Sequence, residues 1–312
     1  MVFFVTSRLQ AILFAIVATA AAADVAWARS GSFDIDAAAY ASLACLFAVL
    51  AGGAAFYEHY RKDARLAAML TGTAFLIGMS AAFSVLNYFL LTVAGHRIDA
   101  ALAGIDRAMG VDWPAMMTFV AQYPVTNVVL KFIYLSVLPQ VAVLVVAQGL
   151  IGNPERIYAL CLAVSAGAAI SIFTWTLMPS FGAFSVYDVS NLHMSLALDT
   201  NYGHALTSLL AHGPGRISPT DAKGLIGFPS YHAVLALLVA WYARDLRGIR
   251  WFALAINAVV IGATPIQGGH HVIDVLAGFV VAALAIGFAN AVMGFAARVG
   301  TPAALTAQTA NL

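Results

Sequence analysis

Long apolar runs recur along this chain, near 9–28, 38–57, 66–94, 125–149, 158–178, 229–243, 251–267 and 271–296. A run of roughly 20 apolar residues crosses a bilayer as one helix, and inside hydrocarbon only helices or closed barrels satisfy their backbone polar groups. These runs are longer than barrel strands. The chain therefore reads as all-α, a polytopic transmembrane helix bundle of about eight spans. Composition agrees. Of 312 residues 62% are hydrophobic and 9% charged, whereas soluble domains carry about 25% charged residues. A net charge of +1 without a basic stripe argues against nucleic acid as a partner. Cys45 and Cys161 both fall inside apolar runs, which argues against a disulfide framework. The first run follows Arg8 as a signal peptide would, but it is long enough to span and further spans follow, so it reads as a retained helix.

Basic residues set the expected orientation. With the N-terminus inside, Arg8, Arg61, Lys62, Arg65, Arg156, Arg244, Arg247, Arg250 and Arg298 fall in short cytoplasmic connections. Arg29, Arg97, Arg107, Lys131, Arg216 and Lys223 fall on the other side, spread over longer loops. Both termini are then cytoplasmic. Two extracytoplasmic segments are too long for turns. Residues 95–124 alternate apolar and charged positions at helical spacing, as a helix lying in the interface does. Residues 179–228 are rich in Gly, Ser, His and Asp and read as a cap or lid.

Chemistry concentrates in Phe228-Pro229-Ser230-Tyr231-His232 and in Gly268-Gly269-His270-His271-Val272-Ile273-Asp274. Between them lie two apolar runs and a basic patch, the pattern of a membrane hairpin that brings His232 and His270 to the same face. The run at 229–243, about 15 residues or roughly 22 Å long, is short, so His232 should sit below the headgroups. If the last helix begins near Gly269, His270 and Asp274 share one face, one turn apart. The carboxylate then fixes the imidazole tautomer and leaves the other ring nitrogen as a nucleophile. Gly268 and Gly269 allow close backbone approach, and helix starts there and at Pro229-Ser230 favour an anion. Together these residues describe a pocket for a phosphate ester. His271 points about 100° away and is a weaker candidate. No acidic or cysteine partners accompany His270 and His271 at metal-ligand spacing, so no metal is expected. His193, His204 and His212 read as solvated loop residues. Trp113, Trp175, Trp241 and Trp251 read as interfacial belts, and Gly52, Gly53, Gly72 and Gly78 as sites of close helix packing.

These strings resemble the second and third signatures (PSxH and SRxxxxxHxxxD) of the type 2 phosphatidic acid phosphatase (PAP2) superfamily. They look most like bacterial members of its inositol-phosphorylceramide synthase-related branch, as does the segment Ile105–Pro114. The specific signatures cover roughly 225–280, with weaker similarity back to about 97. The resemblance implies a six-helix catalytic core at 66–296 with its cap at 179–228, preceded by two N-terminal helices in 1–65 and followed by a cytoplasmic tail at 297–312. It implies that His270 attacks phosphorus to form a phosphohistidine. By the same resemblance, His232 protonates the departing oxygen and then activates the incoming hydroxyl, Asp274 orients His270, and no metal or cofactor is needed.

Two departures matter. Ala263 and Thr264 stand where the third signature has Ser-Arg, so the family's phosphate-binding arginine is absent. The first signature (KxxxxxxRP) is also absent from the end of the fifth span; a superficial match at Lys131–Pro139 has Leu138 in place of arginine and lies two spans from His232. Some other cation must face the phosphate, and the candidates are Arg216 first, then Lys223 and Lys131. The expected function is a lipid phosphatase or phosphotransferase in the bacterial plasma (inner) membrane, acting on a lipid phosphate at the extracytoplasmic face, with membrane lipids as its other partners. Alternatives are a phospholipid head-group transferase and, given the missing arginine, a catalytically silent lipid-binding or transport protein.

Overall fold

The computed structural model describes residues 2–31, 33–198, 202–213, 215–220 and 224–299. Lys223 and residues 300–312 of the expected tail lie outside the described residues. The helices run in order α1 (Val2–Ala28), α2 (Ala37–Phe56), α3 (Ala64–Leu90), α4 (Asp99–Ala108), α5 (Trp113–Ala121), α6 (Pro124–Leu135), α7 (Val137–Leu150), α8 (Pro154–Leu177), α9 (Tyr202–His212), α10 (Tyr231–Ala243), α11 (Arg250–Gln267) and α12 (Val272–Val299). Two short strands, β1 (Asp34–Ile35) and β2 (Arg216–Ile217), pair in parallel between the first loop and the cap. The all-α bundle expected from hydropathy is the observed fold.

Local sequence explains where the helices start and stop. The Asp63 carboxylate accepts from the N–H groups of Arg65 and Leu66 and opens α3. Asp36 does the same for α2 through Ala39 N–H, and Asp112 for α5 through Ala115 N–H. Pro139 has no N–H to offer the carbonyl of Leu135, and α6 ends at that residue. The chain resumes as α7, bent by 47° from α6.

Among the described residues, the helices α1, α2, α3, α8 and α12 are long and apolar enough to cross a membrane, and the bent α6–α7 pair makes a sixth if it is one broken span rather than a re-entrant loop. The eight expected crossings are thus reached only if α10 and α11 count, at 13 and 18 residues. Protein rather than lipid surrounds α10, which packs against α7, α8, α11 and α12 and buries Ala233 to Ala236. A helix enclosed in this way is apolar all round whatever its length.

The main core runs through α3, α7, α8, α10 and α12. Polar side chains stitch α1 to it: Gln10 Nε2 donates to Tyr158 Oη at 3.1 Å and to Thr71 Oγ1 at 3.4 Å. Basic connections meet at one end of the bundle, where Arg156 pairs with Asp245. The cap and the α4–α5 segment meet at the other. There Gly95 N–H donates to Thr176 O, Ile98 N–H to Pro179 O and Ala183 N–H to Gly269 O, at 2.8, 2.9 and 2.6 Å.

Three expectations need correction. Trp113 and Trp175 are not belt residues. Both are buried, and their indole N–H groups donate to the carbonyls of Pro265 (3.1 Å) and Ser180 (3.0 Å). Trp241 and Trp251 are exposed near helix ends, as belt residues are. Gly72 and Gly78 do lie against neighbouring side chains, but a Cβ on Gly52 would meet nothing within 4 Å, so no close packing explains that glycine.

Candidate active site

Residues from α6, α10 and the α11–α12 turn converge at the cap end of the bundle. The last helix begins at Val272, three residues later than the sequence suggests, so His270 and His271 sit in the turn before it. Gly269 makes that turn with φ +60°, where a Cβ would strike the Phe184 ring. The His270–Asp274 contact survives the shift, with Nδ1 3.4 Å from Oδ2. A closer acceptor, which sequence reading missed, is the carbonyl of Gly227 at 2.8 Å from the same Nδ1. Both neighbours of Nδ1 are oxygen acceptors, so Nδ1 carries the proton and Nε2 keeps its lone pair. Nε2 faces Ser230 Oγ at 3.3 Å.

Asp274 is fully buried. Its Oδ2 also accepts from His271 N–H at 2.8 Å, while Oδ1 has no hydrogen-bond partner among the described residues. Ser230 caps α10 through Ala233 N–H, and its own N–H donates to the carbonyl of Asp274 at 3.0 Å. The starts of α10 and α12 are therefore tied directly together. The start of α10 carries a partial positive charge, about half a unit, from the N–H groups of its first turn.

His232 lies just inside α10, half-buried, and its ring stacks on that of Tyr134 from α6 (centroids 4.2 Å apart, planes within 13°). Tyr134 itself is buried. A Cβ placed on Gly268 would fall 2.6 Å from Tyr134 Oη and 2.9 Å from His270 Cδ2. Tyr134 thus contacts the turn beside His270 with its hydroxyl and His232 with its ring face. Nothing in the sequence pattern marked it.

Behind the site, α4 acts as a strap. Asp106, 1% exposed, accepts from the N–H groups of Val272 and Ile273 at 2.8 and 2.9 Å, capping α12 from another helix. Asp99, two turns earlier, accepts at one oxygen from Ser180 Oγ and from the N–H groups of Phe181 and Gly182 (2.9, 2.7 and 3.0 Å), and pairs with Arg97 at the other. The expected interfacial segment is therefore two helices, and the buried carboxylates of the first, α4, hold the loops around His270. His271 is buried 3.8 Å from Asp106, and neither ring nitrogen has a hydrogen-bond partner among the described residues.

The proposed cations separate. Lys131 stands on α6 one turn before Tyr134 and donates to Ser195 Oγ of the cap at 3.2 Å. The neighbouring Asn127 and Gln267 side chains bond one another at 2.6 Å and grip the cap at Ser195 and Ala197. The stretch Lys131–Pro139, remote in span order from His232, is its neighbour in space. Arg216 instead pairs with Asp36 at 3.2 Å in the β1–β2 crossing, with its side chain 61% exposed. Among the described residues no group of three or more His, Cys, Asp or Glu side chains is arranged to hold a metal ion.

Compared with known proteins, the chain matches the PAP2 superfamily over residues 100–288. No curated protein and no solved structure matches it.

Proposed function

Because the chain belongs to the PAP2 superfamily, we propose that it cleaves or transfers the phosphoryl group of a membrane lipid phosphate through a phosphohistidine on His270. One observation carries this reading: the Nδ1 of His270 is held between Gly227 O and Asp274 while its Nε2 lone pair faces the Ser230 cap of α10. Nε2 attacks phosphorus, the N–P bond forms, and the P–O bond to the lipid breaks. A protonated His232 gives its proton to the departing oxygen. The now neutral imidazole takes a proton from the incoming hydroxyl, whose oxygen displaces Nε2 and returns free His270. Water as acceptor makes the protein a phosphatase; a lipid alcohol makes it a transferase.

The start of α10 and the Gly268–Gly269 turn bind the phosphate oxygens, the start of α12 being already capped by Asp106, and Lys131 supplies the cation in place of the missing arginine. Lys131 is preferred to Arg216 because it shares a helix face with Tyr134, whereas Arg216 is engaged by Asp36. The basic connections at the opposite end of the bundle favour an extracytoplasmic site in a bacterial plasma membrane, with both termini cytoplasmic.

The test is to incubate purified protein with a lipid monoester labelled in its phosphate, quench in alkali, and look for acid-labile label on the chain. Label on the parent and none on His270→Ala supports the proposal. Accumulation of label on His232→Ala places that residue in the second step. Absence of label and of turnover across phosphatidic acid, a polyprenyl diphosphate, phosphatidylglycerol phosphate and phosphatidylinositol would leave a silent lipid-binding protein. Label appearing in a second lipid without free phosphate identifies a transferase.

A further inference from the structure

The N-terminal helices lie outside the matched region and enclose a feature that catalysis does not use. A cleft of about 730 Å³ opens between α1, α2 and α3, within the range of about 300–1,000 Å³ typical of ligand sites. Its wall is built largely of alanine, including Ala18, Ala44 and Ala81, whose short side chains leave the volume empty. Phe14 and Phe47 close the inner end, edge to face at 5.7 Å. Asp24 and Tyr40 line the end nearer the cap.

Asp24 is the anomaly. It is 8% exposed inside an apolar helix, and its Oδ1 has no hydrogen-bond partner among the described residues. A carboxyl at membrane depth is costly and marks a functional site. Tyr40 Oη is already matched with Ser84 Oγ at 3.3 Å, so the cleft wall leaves the carboxyl without an internal donor. Four residues before the end of α1, Asp24 sits about 6 Å inside the helix terminus, the depth at which an amphiphile's chain meets its polar end.

We propose that this cleft binds a long-chain lipid alcohol, with the chain along the alanine wall and the hydroxyl bonded to Asp24. An ordinary acyl tail would fill the space and leave Oδ1 unmatched. An ammonium would bring three donors to a wall whose polar side chains are Asp24 and the already matched Tyr40; a hydroxyl brings one. The site does not depend on the histidine chemistry.

Photolabelling tests it. Protein in lipid nanodiscs is irradiated with a long-chain alkanol carrying a mid-chain diazirine, and adducts are mapped by mass spectrometry. Adducts are expected on α1, α2 and α3. Unlabelled alkanol should compete about five- to tenfold better than its methyl ether, the worth of one hydrogen bond donated to a carboxyl. Asp24→Leu should remove that preference. Ala81→Phe, which fills the cleft and leaves the carboxyl in place, should lower labelling by a similar factor, and His270→Ala should label as the parent does. Equal competition by alkanol and ether, an unchanged preference in Asp24→Leu, or adducts confined to other helices would overturn the proposal.

Discussion

Replacing Asp106 by asparagine measures how firmly α4 holds the turn that carries His270. The carboxylate accepts two backbone N–H groups at the start of α12, 2.8 and 2.9 Å away, at 1% exposure. An amide keeps one acceptor and turns an NH₂ group toward the other N–H. The loss is one hydrogen bond to a charged group, about 1.5–3 kcal/mol, plus the carboxylate's interaction with the helix N-terminus, about 0.3–1 kcal/mol. Together they come to about 2–4 kcal/mol. At about 2 °C per kcal/mol for a chain of this size, thermal unfolding in detergent should fall by about 4–8 °C. Asp112→Ala is the control, because it removes an exposed cap whose carboxylate accepts from Ala115 N–H at 3.0 Å and should cost about 1 kcal/mol. Turnover of a lipid phosphate should drop in Asp106→Asn and stay near parental in Asp112→Ala. Equal effects of the two substitutions, or a parental melting temperature for Asp106→Asn, would refute the strap.

Tyr134→Phe keeps the ring stacked on His232 and Tyr134→Leu removes it; with such stacks worth about 0.5–1.5 kcal/mol, kcat in the leucine variant should fall about three- to tenfold at unchanged KM. Equal losses in both variants would assign the effect to the hydroxyl. Lys131→Met should raise KM for a lipid phosphate by about 10- to 100-fold, the loss of a hydrogen bond to a charged group, whereas Arg216→Met should stay within about twofold, since an exposed ion pair contributes little. The opposite order would restore Arg216 as the cation. The Asp36 carboxyl is held below its ordinary pKa, first by Ala39 N–H and then by the Ser218 hydroxyl. A depressed carboxyl stabilises above its unfolded pKa of about 3.9 and loses that contribution as pH falls through the folded value. Proteolysis around residues 34–40 should therefore rise below about pH 4 in the parent, and Asp36→Asn should lose that dependence.

Asp99 and Asp106 place both strap carboxylates on one short helix, seven residues apart, so that α4 grips the end of α8 and the start of α12 together. The Gly227 carbonyl adds a third anchor by fixing the His270 tautomer. His270 is thus positioned from one helix, α4, and from the loop at Gly227, neither adjacent to it in sequence.

What the chain determined by itself is the solvent it folds in and the residues that make up the candidate site. Hydropathy requires no partner to be read, because a bilayer imposes the same length and polarity on every span, and His232, Ser230, His270 and Asp274 were legible because each lies in a short string with its own capping and spacing logic. The short α10 was legible too, but its enclosure by other helices was not. Tertiary structure alone decided the acceptor of the His270 proton, the stacking of Tyr134 on His232, the capping of α12 by Asp106 and the pairing of Arg216 with Asp36. Each is a contact across many residues, and a contact of that kind leaves no periodicity in the sequence. The same holds for Trp113 and Trp175: an indole near a span end reads as a membrane anchor until a loop folds over it and turns its N–H inward.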